Sequence, residues 1–344
     1  MKIGVLLSGG VDSAVSAALL KRSGHEVVAV TMINWNPDSA PKAAQIADFL
    51  EVEHHIADLR EAFQTEVVDY FCNTYLAGPT PNPCIRCNEY IKFGLLLQYA
   101  LQLGCDKVAS GHYAQIRRDA RSGLYSLHQG LDSGKDQSYF LYRLNQRQLQ
   151  RIIFPLGEMT KETVWQLAAE LKIPVTHGQE SQEICFIEGD YRNLITQRAR
   201  CQPGEIVDTA GRVIGRHRGL PFYTVGQRHG LGIAAAHPLY IVDMRSDSNH
   251  IIAGGEKDLY HSSLYAGQVH FISGQEPESP HRVQAKIRYR AALSEAVLYP
   301  HFDRVKVDFA EPQRAITKGQ SVVFYLGDQV LGGGIIEGIG SPVE

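Results

Sequence analysis

The first half of the chain alternates short apolar runs with longer stretches whose apolar residues recur at helical spacing. Residues 3–7, 27–32, 54–56 and 107–109 read as strands, while 14–21, 42–50, 61–75 and 89–103 carry the helical pattern. Strand and helix in alternation predict a doubly wound parallel α/β sheet, which binds ligands beyond the carboxyl ends of its strands. After about residue 187 the texture changes to glycine punctuation and short alternating runs at 204–208, 223–232, 239–243 and 251–255, predicting a small β-rich unit. Runs at 284–290, 296–299, 304–309, 321–325 and 329–336 have the spacing of a compact β-barrel. The Gly-, Pro- and Glu-containing segment 273–280 reads as a linker. The expected domains are a catalytic α/β unit at 1–190, a central unit at 191–272 and a C-terminal β-barrel at 279–344.

Length agrees with this division, since 344 residues suit a multi-domain enzyme. No stretch approaches the roughly 18 apolar residues of a membrane span, and the first strand begins almost at Met1, leaving no room for a leader. A cytoplasmic protein with no membrane partner is expected. In that reducing compartment the six cysteines fit metal, cluster or sulfur chemistry better than a disulfide framework. A net charge of -3 does not announce a nucleic-acid partner, so any such partner must be argued from local patches.

The first chemical feature is Ser8-Gly9-Gly10-Val11-Asp12-Ser13, where the first strand turns into the first helix. Two glycines let backbone approach a phosphate chain, the helix N-terminus offers N–H groups, and Ser8 and Ser13 add hydroxyls. Asp12 would repel phosphate unless a Mg2+ ion lay between them, which points to a metal-nucleotide. The loop lacks the lysine of the Gly-x-x-x-x-Gly-Lys motif and is not Gly-x-Gly-x-x-Gly. It resembles the Ser-Gly-Gly-x-Asp-Ser loop of the ATP pyrophosphatase superfamily, which implies adenylation of a substrate oxygen.

The second feature is Pro81-Asn82-Pro83-Cys84-Ile85-Arg86-Cys87-Asn88, followed by a helical run. The prolines stiffen the approach, and both cysteines sit near the start of a helix, where the dipole and Arg86 favour thiolate. Half a zinc site or a redox pair would present the same spacing, although no second Cys-x-x-Cys exists. Cys185, in Ser181-Gln182-Glu183-Ile184-Cys185-Phe186-Ile187, would by itself read as a buried apolar cysteine. For RNA binding, alternation along 284–290 puts Lys286, Arg288 and Arg290 on one strand face, a row that suits a phosphate backbone, although a lone charged strand is more commonly an ordinary wet surface.

Taken in order, the stretches 8–13, 32–35, 81–93, 110–114, 135–141, 154–160, 181–187, 223–232 and 331–336 resemble the bacterial tRNA-specific 2-thiouridylases over nearly the whole chain. The resemblance implies a three-domain enzyme that thiolates C2 of the wobble uridine in tRNA anticodons. By carry-over, Leu6, Leu7, Ser8, Gly9, Gly10, Val11, Asp12, Ser13, Met32 and Gly111 hold ATP with Mg2+, and Asn82, Pro83 and Cys84 meet the target base. His112, Lys135, Asp136, Gln137, Arg288, Tyr289 and Gln320 match RNA-contacting positions. Cys185 would carry a persulfide received from a sulfur donor, which a sulfur-relay protein, a cysteine desulfurase or free sulfide would supply. Cys87 would be its partner thiol.

The chain departs from the family pattern at Cys84, where the common Pro-Asn-Pro-Asp motif has an aspartate. That departure creates a trio, Cys84, Cys87 and Cys185, of the kind that holds a catalytic 4Fe-4S cluster with one open iron. The two routes, cluster-bound hydrosulfide or a persulfide on Cys185 with no cluster, are both expectations of the resemblance. Two readings of other classes stand beside thiolation. An enzyme adenylating a small metabolite leaves the cysteines unused, and a noncatalytic iron-sulfur or sulfur-carrier protein leaves the Ser8-to-Ser13 loop unused.

Overall fold

In the computed structural model, which describes residues 1–35, 39–175, 184–187, 189–277, 279–301 and 303–340, the apolar runs of the first half form one parallel sheet. Strand β1 (Lys2–Leu6) lies between β2 (Glu26–Ile33) and β4 (Lys107–Ala109), with β3 (Glu53–Asp58) and β7 (Ile152–Ile153) at the edges. Every adjacent pair is parallel. The order β3-β2-β1-β4-β7 reverses direction at β1, so the crevice beyond its carboxyl end is the switch point where such sheets bind ligands. Helix α1 (Val11–Arg22) leaves that crevice with Asp12 in its first turn and Lys21 and Arg22 in its last, matching the helix dipole. Its face against the sheet is small and apolar, with Ala14, Val15, Ala17 and Ala18 buried. The next helix, α2 (Ser39–Phe49), covers β2 and β3. Two-residue β7 has too few positions to show any periodicity, and the sequence pattern does not reveal it.

Between β4 and β7, a hairpin of β5 (Ala114–Arg118) and β6 (Tyr125–Gln129) leaves the parallel sheet. It pairs instead with the last strand of the C-terminal barrel, Leu127 opposite Val330. The catalytic unit and the barrel therefore share a sheet edge. They also share a core, in which Tyr139, Tyr142 and Leu127 pack with Val323, Tyr325 and Val330.

The central unit is the four-stranded sheet β10-β11-β8-β9, built from β8 (Gly204–Asp208), β9 (Val213–His217), β10 (Tyr240–Arg245) and β11 (His250–Gly254). The run 223–232 is not a strand. Gly226, Gly230 and Gly232 take φ values of 87°, 79° and 67°, which turn the chain out of any ladder. The barrel consists of β12 (Tyr260–Phe271), β13 (His281–Lys286), β14 (Ser294–His301), β15 (Arg304–Arg314), β16 (Ser321–Leu326) and β17 (Gln329–Ile339). Pairing of β12 with both β15 and β17 closes it. Strand β12 lies within the stretch that the sequence pattern assigned to the central unit. Strand β13 ends at Lys286, and the Ala291 N–H donates to the Arg288 carbonyl across a turn (3.0 Å), so Lys286, Arg288 and Arg290 do not form a row on one strand. Among the described residues no helix is long and apolar enough to cross a membrane.

Candidate active site

Leu6 closes β1, and the backbone then turns through Leu7, Ser8, Gly9 and Gly10 into α1. Gly9 has φ +82°, which a residue with a Cβ adopts only at a cost. Gly10 stands at the helix N-cap with no side chain to cap it, which leaves this helix end to an anion. The two serines brace the loop: the Ser8 N–H donates to Ser13 Oγ (3.2 Å), and Ser13 Oγ donates to the Gly10 carbonyl (3.0 Å). From β2, the Thr31 hydroxyl donates to the Leu7 carbonyl (2.8 Å), and Met32 beside it is partly buried between two core clusters. Gly111 presses on the same loop. A Cβ there would meet the Asp12 carbonyl carbon at 2.7 Å and Ser13 N at 2.9 Å.

Asp12 is not a bare carboxylate. Lys161 Nζ donates to both its oxygens at 2.8 Å, and the Tyr113 hydroxyl donates to Oδ1 at 2.7 Å. The repulsion between Asp12 and a phosphate is thus relieved in part by an ammonium of the chain itself. Lys161 and Tyr113 escaped the sequence reading because they lie 149 and 101 residues from Asp12. One signal for Lys161 was available. Thr160 caps the helix Lys161–Glu170, which places a lysine at the first helical position, where the dipole disfavours a cation. A cation so placed needs another reason to be there.

The thiols sit on the next element. Asn82 caps the helical turn Pro83–Arg86 by accepting from the Ile85 N–H, with Pro83 at the position where its missing N–H costs nothing. Cys84 lies in that turn. Cys87 opens the π-helical segment Cys87–Leu95, a geometry that recurs at functional sites. Cys185 is brought to them by its neighbour Phe186, whose ring packs edge-on against Phe63 (5.7 Å) and Phe71 (5.3 Å) in the core cluster that includes Cys87. Of the third motif, Ser181, Gln182 and Glu183 lie outside the described residues.

The expectation that Arg86 and the helix end favour thiolate is corrected by this geometry. Arg86 is engaged elsewhere, pairing with Glu66 at 2.8 Å and lying over the Tyr90 ring at 4.3 Å, and it is not among the charges that act on the thiols. Burial pushes Cys84 up to about 11 and Cys87 up to about 12, with Cys185 adding to both and Lys92 opposing. Cys185 is exposed as a residue, yet burial raises its thiol too, again against Lys92. Lys92 is the cation these sulfurs feel, and the sequence reading missed it. Among the described residues no group of three or more His, Cys, Asp or Glu side chains is disposed to hold a single metal ion, while Cys185 lies close enough to Cys84 and Cys87 for its charge to act on both.

His112 links the two halves of the site. It follows Gly111 in the chain, is buried, shares a hydrogen bond with Ser110 Oγ (2.8 Å), and packs against Phe93 (5.6 Å) on the thiol-bearing helix. Burial, and then Lys92, hold it well below the ordinary histidine range and therefore neutral.

The positions carried over as RNA contacts divide. Arg288 is exposed, while Tyr289 is half-buried against Phe140 (4.5 Å), within reach of the Lys135 charge. Asp136 is buried and accepts from Gly130 N, Ser138 N and Ser138 Oγ, holding its own loop. Gln137 accepts from the Tyr113 N–H at 3.0 Å. Gln320 donates to the carbonyls of Thr80 and Pro81 at 3.1 and 3.2 Å.

Three family models match successive stretches: "tRNA methyl transferase HUP domain" over residues 1–189, "tRNA methyl transferase PRC-barrel domain" over 192–255 and "Aminomethyltransferase beta-barrel domain" over 261–336. A tRNA-specific 2-thiouridylase MnmA of Syntrophomonas wolfei is 52% identical, covering 98% of this chain and 100% of that one. Its counterpart in Moorella thermoacetica is 47% identical over 97% of this chain and 99% of its own. Among solved structures, the U34-tRNA thiolase NcsA of Methanococcus maripaludis with its 4Fe-4S cluster is 18% identical, covering 57% of this chain and 63% of that one, with a TM-score of 0.36. A likeness that slight carries no chemistry across.

Proposed function

The chain belongs to the tRNA-specific 2-thiouridylase family, and on that footing we propose that it uses ATP to adenylate the C2 oxygen of the wobble uridine in tRNA and replaces that oxygen with sulfur. The observation that carries this reading is the contact between its two half-sites: Gly111 packs on Asp12 and Ser13, while the next residue, His112, packs on the helix of Cys84 and Cys87. Two consecutive residues thus join the glycine loop to the thiol-bearing helix. The family models' names speak of methyl transfer, but methyl transfer has no use for three neighbouring thiols, whereas sulfur transfer does.

In this reading the loop Ser8–Ser13 and the end of α1 hold the pyrophosphate end of ATP, with Lys161 available to exchange part of its Asp12 contact for phosphate oxygen. Mg2+ would bind with the nucleotide, where Asp12 is the nearest acidic side chain of the loop. The C2 oxygen attacks the α-phosphorus and pyrophosphate leaves, which converts a very poor leaving group into AMP. Sulfur then attacks C2. No step is routed through a cluster; Cys84, Cys87 and Cys185 would be the residues to hold one, and it would supply hydrosulfide to the adenylated base. The persulfide route uses the residues present: the terminal sulfur on Cys185 bonds to C2, Cys87 attacks the Cys185 sulfur to form a disulfide, and AMP departs. A cytoplasmic reductant must then reopen the disulfide, and a sulfur donor must reload Cys185.

Neutral His112 and cationic Lys92 lie between the two reacting regions, suited to steady the charge that develops on the uracil ring as sulfur adds. The test is AMP release from ATP with and without tRNA. Release that requires tRNA supports the reading, while release driven by a small carboxylate or amine in its absence favours a metabolite-adenylating enzyme.

A further inference from the structure

Gln320 and its turn are spent on the catalytic loop. The side-chain amide of Gln320 donates to two consecutive carbonyls, Thr80 (3.1 Å) and Pro81 (3.2 Å). One residue earlier, Gly319 has φ +86°, and a Cβ there would lie 2.7 Å from Pro79 Cβ and 2.8 Å from the Thr80 carbonyl oxygen. Before that, the Lys318 carbonyl accepts from the Thr80 N–H at 2.8 Å. Three successive residues of the barrel, 318–320, therefore clamp residues 79–81, the approach to Asn82, Cys84 and Cys87.

The same turn reaches the central unit, since Lys318 Nζ lies 3.1 Å from Asp243 Oδ1 on β10. It is also fixed from the barrel side, where the Gln320 carbonyl accepts from the Ile336 N–H at 2.8 Å. One short turn thus touches all three domains. Buried peptide carbonyls need donors, and prolines at 79, 81 and 83 supply none, so the loop depends on partners from outside itself.

We propose that Gln320, with Gly319, is a positioning residue for thiolation: it fixes the height and angle of the Asn82–Cys87 segment. This rests on the thiolation reading above and adds to it a mechanical link, through which tRNA seated on the barrel and central unit bears on the thiols.

The experiment compares wild type with Gln320→Glu, which keeps the shape but removes the donor, with Gly319→Ala, and with Lys318→Met, which keeps the backbone bond to Thr80. Steady-state tRNA thiolation is read alongside amide exchange across 79–88 in the whole protein. Gln320→Glu and Gly319→Ala are expected to lower kcat on the order of tenfold to a hundredfold, with KM for tRNA within about twofold, and to speed exchange in that segment. A raised KM with kcat and exchange unchanged would make Gln320 an RNA contact and overturn the proposal. If wild type itself fails to thiolate tRNA, the function reading falls instead, and the exchange data alone decide the clamp: unchanged exchange in both loop variants sinks it.

Discussion

The Lys161 ammonium lies 2.8 Å from both carboxylate oxygens of Asp12, at the mouth of the nucleotide loop. The pair is not a surface ornament, because the Lys161 side chain is only 12% exposed and the Tyr113 hydroxyl bonds the same carboxylate. It sets the loop's charge.

Lys161→Met is therefore expected to reduce tRNA-dependent AMP and pyrophosphate release by on the order of 10²–10³, the range for removing one preorganised charge from a reacting centre. Lys161→Arg should recover part of it. Asp12→Asn combined with Lys161→Met should cost much less than the product of the single effects, because each substitution already breaks the same contact. Multiplicative losses in that cycle would mean the two residues act separately.

The sheet and the glycine loop at 8–13 were legible in the sequence because both are local: a short apolar run, a Gly-Gly turn and an Asp-Ser at a helix start declare themselves within a few residues. Five of the six barrel strands showed for the same reason, and β12 did not. What the sequence could not show is what distant segments contribute. Lys161 meets Asp12 across 149 residues, and Gln320 meets Thr80 across 240. Arg86 illustrates the opposite failure. Its position next to Cys87 suggested thiolate stabilisation, yet its guanidinium is taken up by Glu66, Tyr70 and Tyr90. Adjacency in sequence on a helix does not mean a shared face.

For the thiols, Cys87→Ala and Cys185→Ala should each abolish thiolation while leaving ATP binding intact, and Cys84→Ala should retain it. Protein purified anaerobically and freed of iron should still thiolate tRNA when supplied with a persulfide donor. Iron and acid-labile sulfide present in wild type and lost in all three variants, with activity tracking iron, would instead restore the cluster held by Cys84, Cys87 and Cys185.

Acid should destabilise this protein through its buried imidazoles. His112 is held well below its ordinary value by burial, and burial also lowers His128, His217 and His270. A histidine whose folded pKa is depressed binds its proton only in the unfolded chain, so stability is full above about pH 6.5 and falls as pH drops below it. His112→Asn should flatten the pH 5–7 slope of the unfolding free energy, read from urea titrations, by up to about 1.4 kcal/mol per pH unit, the worth of one proton. An unchanged slope would show that His112 does not contribute.

Gly111→Ala gives the most direct test of the crevice. A methyl group there must enter space held by Asp12 and Ser13 backbone at 2.7 to 2.9 Å, and backbone at a helix start has no flexible end to move aside. The loop would shift outward by some tenths of an ångström while the core beneath, Val5, Leu7 and Val15, keeps its packing. Fold and melting temperature should thus change little, since a local shift of this kind costs roughly 1–3 kcal/mol. Nucleotide affinity should fall by about tenfold or more, because phosphate contacts from backbone N–H groups depend steeply on distance and angle. Affinity for ATP measured by calorimetry, with tRNA binding as the control, separates the outcomes. Loss of ATP binding alone places the nucleotide against Gly111; equal loss of both would mean that the substitution has disturbed the fold; and no loss of either would put ATP elsewhere and remove the bridge through Gly111 and His112 on which the proposed chemistry depends.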